Sequence, residues 1–228
     1  MFWSGGKDSS LALYIIQQSR PDLDVVYLVT TVNEEYQRIS MHGVRQELLS
    51  LQAGLLGVPL FKMVVPNSAS NQSYETALEQ TFRKLKKEGI SHIVYGDIFL
   101  EDLRSYRDAI LQQHQLTGVY PLWKEDTAAL VRKFLELGFR TITCCISTAW
   151  LSEDWVGREL SADFISELPS NVDPCGENGE FHTFCFDGPI FRKALRFKLG
   201  SREFKPLSVH TISDSKPSGF WYVDLLPD

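Results

Sequence analysis

Several things are scarce in this sequence, and each scarcity removes a class of protein. No apolar stretch approaches the roughly 18 residues of a membrane-crossing helix, and the opening MFWSGGKDSS lacks the pattern of a signal peptide. Only four cysteines occur, Cys144, Cys145, Cys175 and Cys185, with no CxxC spacing. That excludes a disulfide scaffold and suits a reducing, cytoplasmic compartment. Positive charge is also short: 23 Lys and Arg against 29 Asp and Glu leave a net charge of −6. A chain of that balance does not coat nucleic acid through counterion release, although a local basic groove remains compatible with it. There is no internal repeat and no low-complexity segment. What remains is an ordinary globular composition, 43% hydrophobic over 228 residues, enough for one large domain or two unequal ones.

The first 150 residues alternate between strand-like and helix-like stretches. Apolar, β-branched runs at 24–32, 59–65, 92–98 and 140–148 predict buried parallel strands. Helices are predicted between and around them at 8–19, 44–56, 72–88, 101–116 and 126–137. Ala77, Leu78, Phe82 and Leu85 recur at helical spacing, and Gly57, Gly89 and Gly138 stand where helices should stop. This is the grammar of an α/β domain with a mostly parallel, Rossmann-like sheet. Past residue 150 the pattern changes to turn-rich chain and short strand candidates at 194–200, 206–213 and 220–226, separated by Gly200-Ser201 and 216–219. We expect a smaller C-terminal α+β portion over 151–228, packed on an α/β domain over 1–150.

The sharpest feature is Ser4-Gly5-Gly6-Lys7-Asp8-Ser9-Ser10, set between Met1-Phe2-Trp3 and the helical run LALYIIQQ. Adjacent glycines let a backbone turn tightly against a ligand. The following helix offers free N–H groups and the positive end of its dipole, which suit a phosphate. Lys7 adds a full charge, and Ser4, Ser9 and Ser10 add hydroxyl donors. A plain connection capped by Asp8 or Ser9 uses the same residue types. Two glycines, a lysine and flanking serines together at one strand-to-helix switch favour the anion site. It is not a Walker A loop, whose glycines are four residues apart and whose lysine is followed by Ser or Thr, where this chain has Asp8.

The second cluster is DPCGENGEFHTFCFDGP at 173–189, in which Glu177, Glu180, His182 and Asp187 fall within eleven residues. A solvated acidic turn is the bland explanation, but Phe181, Phe184 and Phe186 would anchor this segment to a core. Carboxylates near a triphosphate can hold Mg²⁺ or accept a proton from an incoming amine, and a neutral His182 can do the latter. His182 reads equally well as a core histidine bonded to backbone. Cys175 lies in the same loop, a place where a thiol can be exposed, but nothing nearby in sequence lowers its pKa and the carboxylates would raise it.

SGGKDS resembles the pyrophosphate-binding loop of the PP-loop ATPases, the N-type adenine-nucleotide α-hydrolases. That likeness implies cleavage of ATP between its α- and β-phosphates and a Rossmann-like sheet with the nucleotide at the strands' carboxyl ends. It leaves Met1–Trp3 as a very short first strand, or as the end of a longer one. GENGEFHT and the following DGP, taken with SGGKDS, narrow the resemblance to the diphthine–ammonia ligase family, over essentially the whole chain. The resemblance implies that a carboxylate is adenylated and that ammonia turns it into an amide. It further implies nucleotide contacts at Ser4, Gly5, Gly6, Lys7, Asp8 and Ser9 and around Gly96-Asp97-Ile98. Glu177, Asn178, Glu180 and His182 would face the acyl-adenylate, with Lys7 among the catalytic groups, Asp187 on the substrate side and Asp8 as a Mg²⁺ ligand.

The middle of the chain departs from the diphthamide-making members. Met41-His42-Gly43-Val44-Arg45 follows the second strand, a form that resembles the bacterial branch of the family. Bacteria make no diphthamide, so the acceptor stays open, as a diphthine-like group or a small molecule. Arg45 reads as a bidentate ligand for a phosphate or substrate carboxylate, or as an ordinary surface arginine. His42 reads as a contact to adenine or ribose. Glu101 and Asp102 are explained as acids at a helix start. The expected partners are ATP, Mg²⁺, ammonia and a carboxylate-bearing acceptor, with no membrane or nucleic acid and with a homodimer as the ordinary assembly. Two other readings compete: a PP-loop enzyme modifying a tRNA base, and an ATP-binding sensor without turnover.

Overall fold

A computed structural model describes residues 1–33, 43–65, 71–207 and 218–228. The order is α1 (Lys7–Ser19), β1 (Leu28–Asn33), α2 (Gln46–Leu56), β2 (Leu60–Val65), α3 (Asn71–Lys87), β3 (His92–Val94), α4 (Glu101–Gln113), β4 (Thr117–Val119), α5 (Thr127–Glu136), β5 (Arg140–Ser147), α6 (Ala162–Glu167), β6 (Phe181–Asp187), β7 (Phe197–Pro206) and β8 (Gly219–Pro227). The result is a mixed α/β protein with parallel pairing in the first half and a separate antiparallel sheet in the second.

β1 pairs in parallel with β2, and β3 with β4. Met1–Trp3 joins the two pairs. Trp3 N donates to Val29 O at 2.7 Å, Val29 N to Met1 O at 2.7 Å, and Phe2 N to Val94 O at 2.9 Å on the opposite side. Three residues thus occupy the centre, in the order β2-β1-(Met1–Trp3)-β3-β4. Numbered along the chain this is 3-2-1-4-5, the order in which doubly wound sheets form a crevice at the strands' carboxyl ends. Both faces are covered. Met1, Trp3, Leu28 and Val94 pack with Leu11 and Leu13 of α1 and Leu48 and Leu49 of α2. Val29, Met63, Val65, Ile93 and Tyr95 pack with Leu78, Phe82 and Leu85 of α3 and Leu111 of α4. Alternate strand residues therefore feed two cores, which is why the strands read as unbroken apolar runs. Gly57 ends α2 in the left-handed conformation, φ 72°, as its position suggests.

The second sheet has the order β6-β5-β8-β7, all antiparallel. Here the expectation for 140–148 is corrected. β5 is a strand, but it pairs antiparallel with β6 and β8 rather than joining the parallel set. Seven of its eight residues are buried, and a strand covered on both faces gives the same apolar run whichever way its neighbours point. β4 is shorter than the sequence signal resolves. Gly200-Ser201 is a further correction: it is no turn but an irregularity inside β7, where the register with β8 shifts between Leu199 and Arg202. Of the strand expected at 206–213, residues 208–213 lie outside the described residues. The two halves meet where Cys185 N, on the outer edge of β6, donates to Gly5 O at 2.8 Å.

Candidate functional site

The glycine loop lies between the central three-residue strand and α1, at the carboxyl ends of the parallel strands. Gly5 takes φ +78°, a conformation that side chains disfavour. Gly6 precedes the helix with no side-chain cap. Its carbonyl accepts from Ser10 N at 3.1 Å, Ser9 Oγ at 3.0 Å and Ser10 Oγ at 2.9 Å. Ser4 Oγ accepts from Gly6 N at 3.2 Å and lies 3.3 Å from Ser9 Oγ. Gly96, at the end of β3, sits directly against this helix start: a Cβ there would come within 3.1 Å of the Asp8 carbonyl carbon.

Lys7 is where the halves of the molecule converge. Its backbone N–H donates to Thr183 Oγ1 at 3.1 Å, and its buried ammonium reaches both Asp8 oxygens at 2.8 Å and the Cys175 carbonyl. The Phe181 ring lies 5.6 Å from Nζ. Burial disfavours the charged lysine, but Asp8, Cys175 and Glu177 outweigh it, and the group is held above the ordinary lysine value.

The opposing loop, residues 173–180, is shaped by its own carboxylates. Asp173 Oδ1 accepts from Cys175 N at 2.9 Å and Glu177 N at 3.2 Å. Glu180 Oε1 accepts from Asp173 N at 3.0 Å and Asn178 Nδ2 at 3.0 Å, and its Oε2 accepts from Asn178 N at 2.9 Å. Gly176, at φ +67°, has no room for a side chain, since a Cβ would lie 2.7 Å from Phe181 O. Glu177 points the other way, across to the segment that follows β3, and accepts from Ile98 N at 2.8 Å. Burial, with help from Asp8 and Asp97 and against the Ile98 bond and Lys7, pushes its carboxyl up to about 7. Asp97 pairs with Arg107, whose guanidinium covers the Tyr95 ring at 4.3 Å.

The structure brings Ser4, Gly5, Gly6, Lys7, Asp8, Ser9, Gly96, Asp97 and Glu177 into one neighbourhood and gives Glu180, Asn178, His182, Asp187 and Arg45 other surroundings. Glu180 is wholly buried with both oxygens engaged, so it builds the loop and is not placed to receive a proton from a substrate. Asn178 serves that same carboxylate. His182 alternates with Phe181 and Thr183, the residues nearest Lys7, and so projects from the other face of β6. Asp187 closes the far end of β6 and accepts from Gly188 N at 2.9 Å, roughly 13 Å along the strand from Thr183. Arg45 does bind a carboxylate in bidentate fashion, but it is Asp224 of β8, at 3.0 and 2.6 Å. His42 lies outside the described residues. Cys175 is buried rather than accessible. Its thiol donates to Thr127 O at 3.3 Å, and burial pushes it up to about 12.

Asp173, Thr183, Arg107 and Gln52 were not legible as site residues: Thr183 and Gln52 act on the backbone of segments remote in sequence, Arg107 acts on Asp97 from the next helix, and Asp173 acts on N–H groups of its own loop. Asp173 alone carried a signal, as the first acid of the DPCGENGE run. Among the described residues no cluster of three His, Cys, Asp or Glu is arranged to hold a metal. A cavity of about 220 Å³ lies at the amino ends of the strands, between Tyr27, Glu88 and His92, and contains none of the candidates. The glycine loop at the opposite, carboxyl end is where chemistry in such a sheet belongs.

A glycine loop feeding a helix N-terminus, at the carboxyl end of a 3-2-1-4-5 parallel order, places the chain among doubly wound α/β proteins, in which that position suits an anion. The comparisons narrow that class. The family model of the diphthamide synthase N-terminal domain matches residues 1–117, and that of the diphthamide synthase C-terminal domain matches residues 126–214. The chain belongs to the diphthamide synthase family. Relatives named diphthine–ammonia ligase include a Danio rerio protein, 25% identical over 213 residues, covering 84% of this chain and 83% of that protein. A Mus musculus protein of the same name is 24% identical over 221 residues, covering 84% and 79%. A third, from Schizosaccharomyces pombe, is 23% identical over 212 residues, covering 84% of this chain and 34% of its own length.

Proposed function

We propose that this protein is an ATP-dependent ligase that activates a carboxylate by adenylation, with release of pyrophosphate, and joins it to ammonia as an amide. The observation that carries the proposal is the convergence on Lys7: one buried ammonium contacts the carboxylate of Asp8 and the carbonyl of Cys175, from the two segments that the family's motifs single out. The diphthine–ammonia ligase relatives support the reaction class. In this reading the chain has a PP-loop fold, with 1–150 as the nucleotide-holding part and 151–228 carrying the substrate loop. The antiparallel pairing of β5 favours drawing that boundary before residue 140. The acceptor is a diphthine-like or smaller carboxylate. The protein acts in the cytoplasm, as a homodimer. No helix among the described residues is long and apolar enough to cross a membrane.

The geometry supports the following division of labour. N–H groups at the start of α1 and the Lys7 ammonium bind the phosphates and hold the triphosphate in line with the attacking carboxylate. Ser4 and Ser9 line the loop, and Gly96 lets the end of β3 approach it without a side chain between. Magnesium fits this setting, because it needs only one or two carboxylates besides phosphate and water. Asp8, whose two oxygens face the Lys7 ammonium, would hold it once that ammonium turns to the phosphates, and the ion would neutralise phosphate charge. Glu177 sits opposite Lys7 with its carboxyl near 7. It is poised to take a proton from the attacking ammonia at neutral pH.

Product analysis tests the proposal. With Mg-ATP, ammonium and an extract from its own cells, the protein should release AMP and pyrophosphate. ADP and phosphate would overturn it, and ATP binding without any product would favour a sensor.

A further inference from the structure

Gln52, in α2, is completely buried yet spends every part of its amide on the glycine loop and its neighbours. Its Oε1 accepts from the Trp3 indole Nε1 at 2.8 Å. Its Nε2 donates to Gly5 O at 3.0 Å and to Cys185 O at 2.6 Å. An indole can only donate and a carbonyl can only accept, so the partners fix which way the amide faces. Gly5 O accepts a second bond, from Cys185 N at 2.8 Å, and is held against the edge of β6. The fit is close: a Cβ on Gly5 would lie 2.9 Å from Gln52 Oε1.

Across a trans peptide, the carbonyl of one residue and the N–H of the next point in opposite directions. Whatever holds Gly5 O therefore also aims Gly6 N–H, which points at Ser4 Oγ on the other side of the loop. We propose that Gln52 is a positioning residue for the phosphate loop, pinning the Gly5 carbonyl to β6 so that the Gly6 amide faces the bound anion. The inference rests on the loop holding phosphate.

The test uses the full chain with Gln52→Met, which keeps the bulk and removes both donors. Calorimetric titration should find Mg-ATP affinity lowered about tenfold or more, the size expected for one misdirected hydrogen bond, with AMP affinity little changed. Equal losses for ATP and AMP would mean a merely structural role, and unchanged ATP affinity would also overturn the inference. Should Gln52→Met fail to fold, Trp3→Phe, which removes the anchor on Oε1 together with part of the buried indole's bulk, decides: a smaller loss confined to ATP supports the proposal, and no such loss overturns it. A second readout separates this inference from the function itself. Amide exchange at Gly6, measured without nucleotide, should speed up in the variant while Leu13, inside α1, stays protected. If the unaltered protein binds no ATP, the functional reading fails, and the exchange result still shows whether Gln52 sets the Gly6 amide.

Discussion

The two loops that meet at Lys7 are built on opposite principles. The glycine loop owes its shape to backbone: a left-handed Gly5, a helix start, and serine hydroxyls folded back onto the Gly6 carbonyl. The 173–180 loop owes its shape to carboxylates turned inward, Asp173 and Glu180, which satisfy the N–H groups of Cys175, Glu177, Asp173 and Asn178. Three acids within eight residues thus divide into two that hold the loop and one, Glu177, that faces across the gap. Richness in carboxylates identifies such a segment, but only the direction of each side chain assigns its work.

The largest effect should come from the point where the loops touch. Lys7→Ala removes the ammonium that both sides address, and pyrophosphate release should fall by roughly two orders of magnitude or more. Near-normal release would break the claim that the loops form one site. The next effect separates the two kinds of acid. Glu180→Ala removes a buried carboxylate and the acceptor of three part-buried donors and should cost about 2 kcal/mol in urea unfolding, whereas Glu177→Gln keeps an acceptor for Ile98 N and should cost little. Activity should behave differently, with Glu177→Gln folded but slow. If Glu177→Gln proves as unstable as Glu180→Ala, the division between holding and facing acids is wrong.

A third effect is graded by pH. Glu177 titrates near 7, so turnover at constant free ammonia should fall below that pH and level off above it, and Glu177→Gln should flatten this limb. Stability runs the other way. Between the ordinary glutamate value of 4.5 and about 7, the folded chain retains a proton that the unfolded chain has released. Stability therefore declines as pH rises through that window, and Glu177→Gln should remove this part of the decline. Melting at pH 5 and pH 8 for both proteins measures it. An identical pH dependence would show that Glu177 is not held near 7.

Much of this was legible beforehand because the signals were local. Helix starts at Lys7 and Thr127, stops at Gly57 and Gly138, and the two motif segments all follow from residue type and spacing. What could not be read was partnership at a distance. β5 gives an apolar run in any sheet, so its antiparallel pairing with β6 was invisible. Glu180 and Glu177 are the same residue type three positions apart, and only the fold buries one carboxylate and turns the other toward Ile98. Gln52 sits in an unremarkable amphipathic helix, 47 residues from the glycine whose carbonyl it holds.

The smallest expected effect concerns Arg45, whose type suggested a substrate carboxylate and whose fork is filled by Asp224. Its side chain is 40% exposed, so solvent screens the pair, and Arg45→Ala should cost no more than about 1 kcal/mol. Its ATP turnover should match that of the unaltered protein, because the bond ties α2 to β8 rather than to either loop at Lys7. A turnover loss of about tenfold or more with so small a change in stability would mean that the guanidinium exchanges Asp224 for the acceptor's carboxylate. That outcome would add a third element, the start of α2, to a site here confined to the two loops and the end of β3.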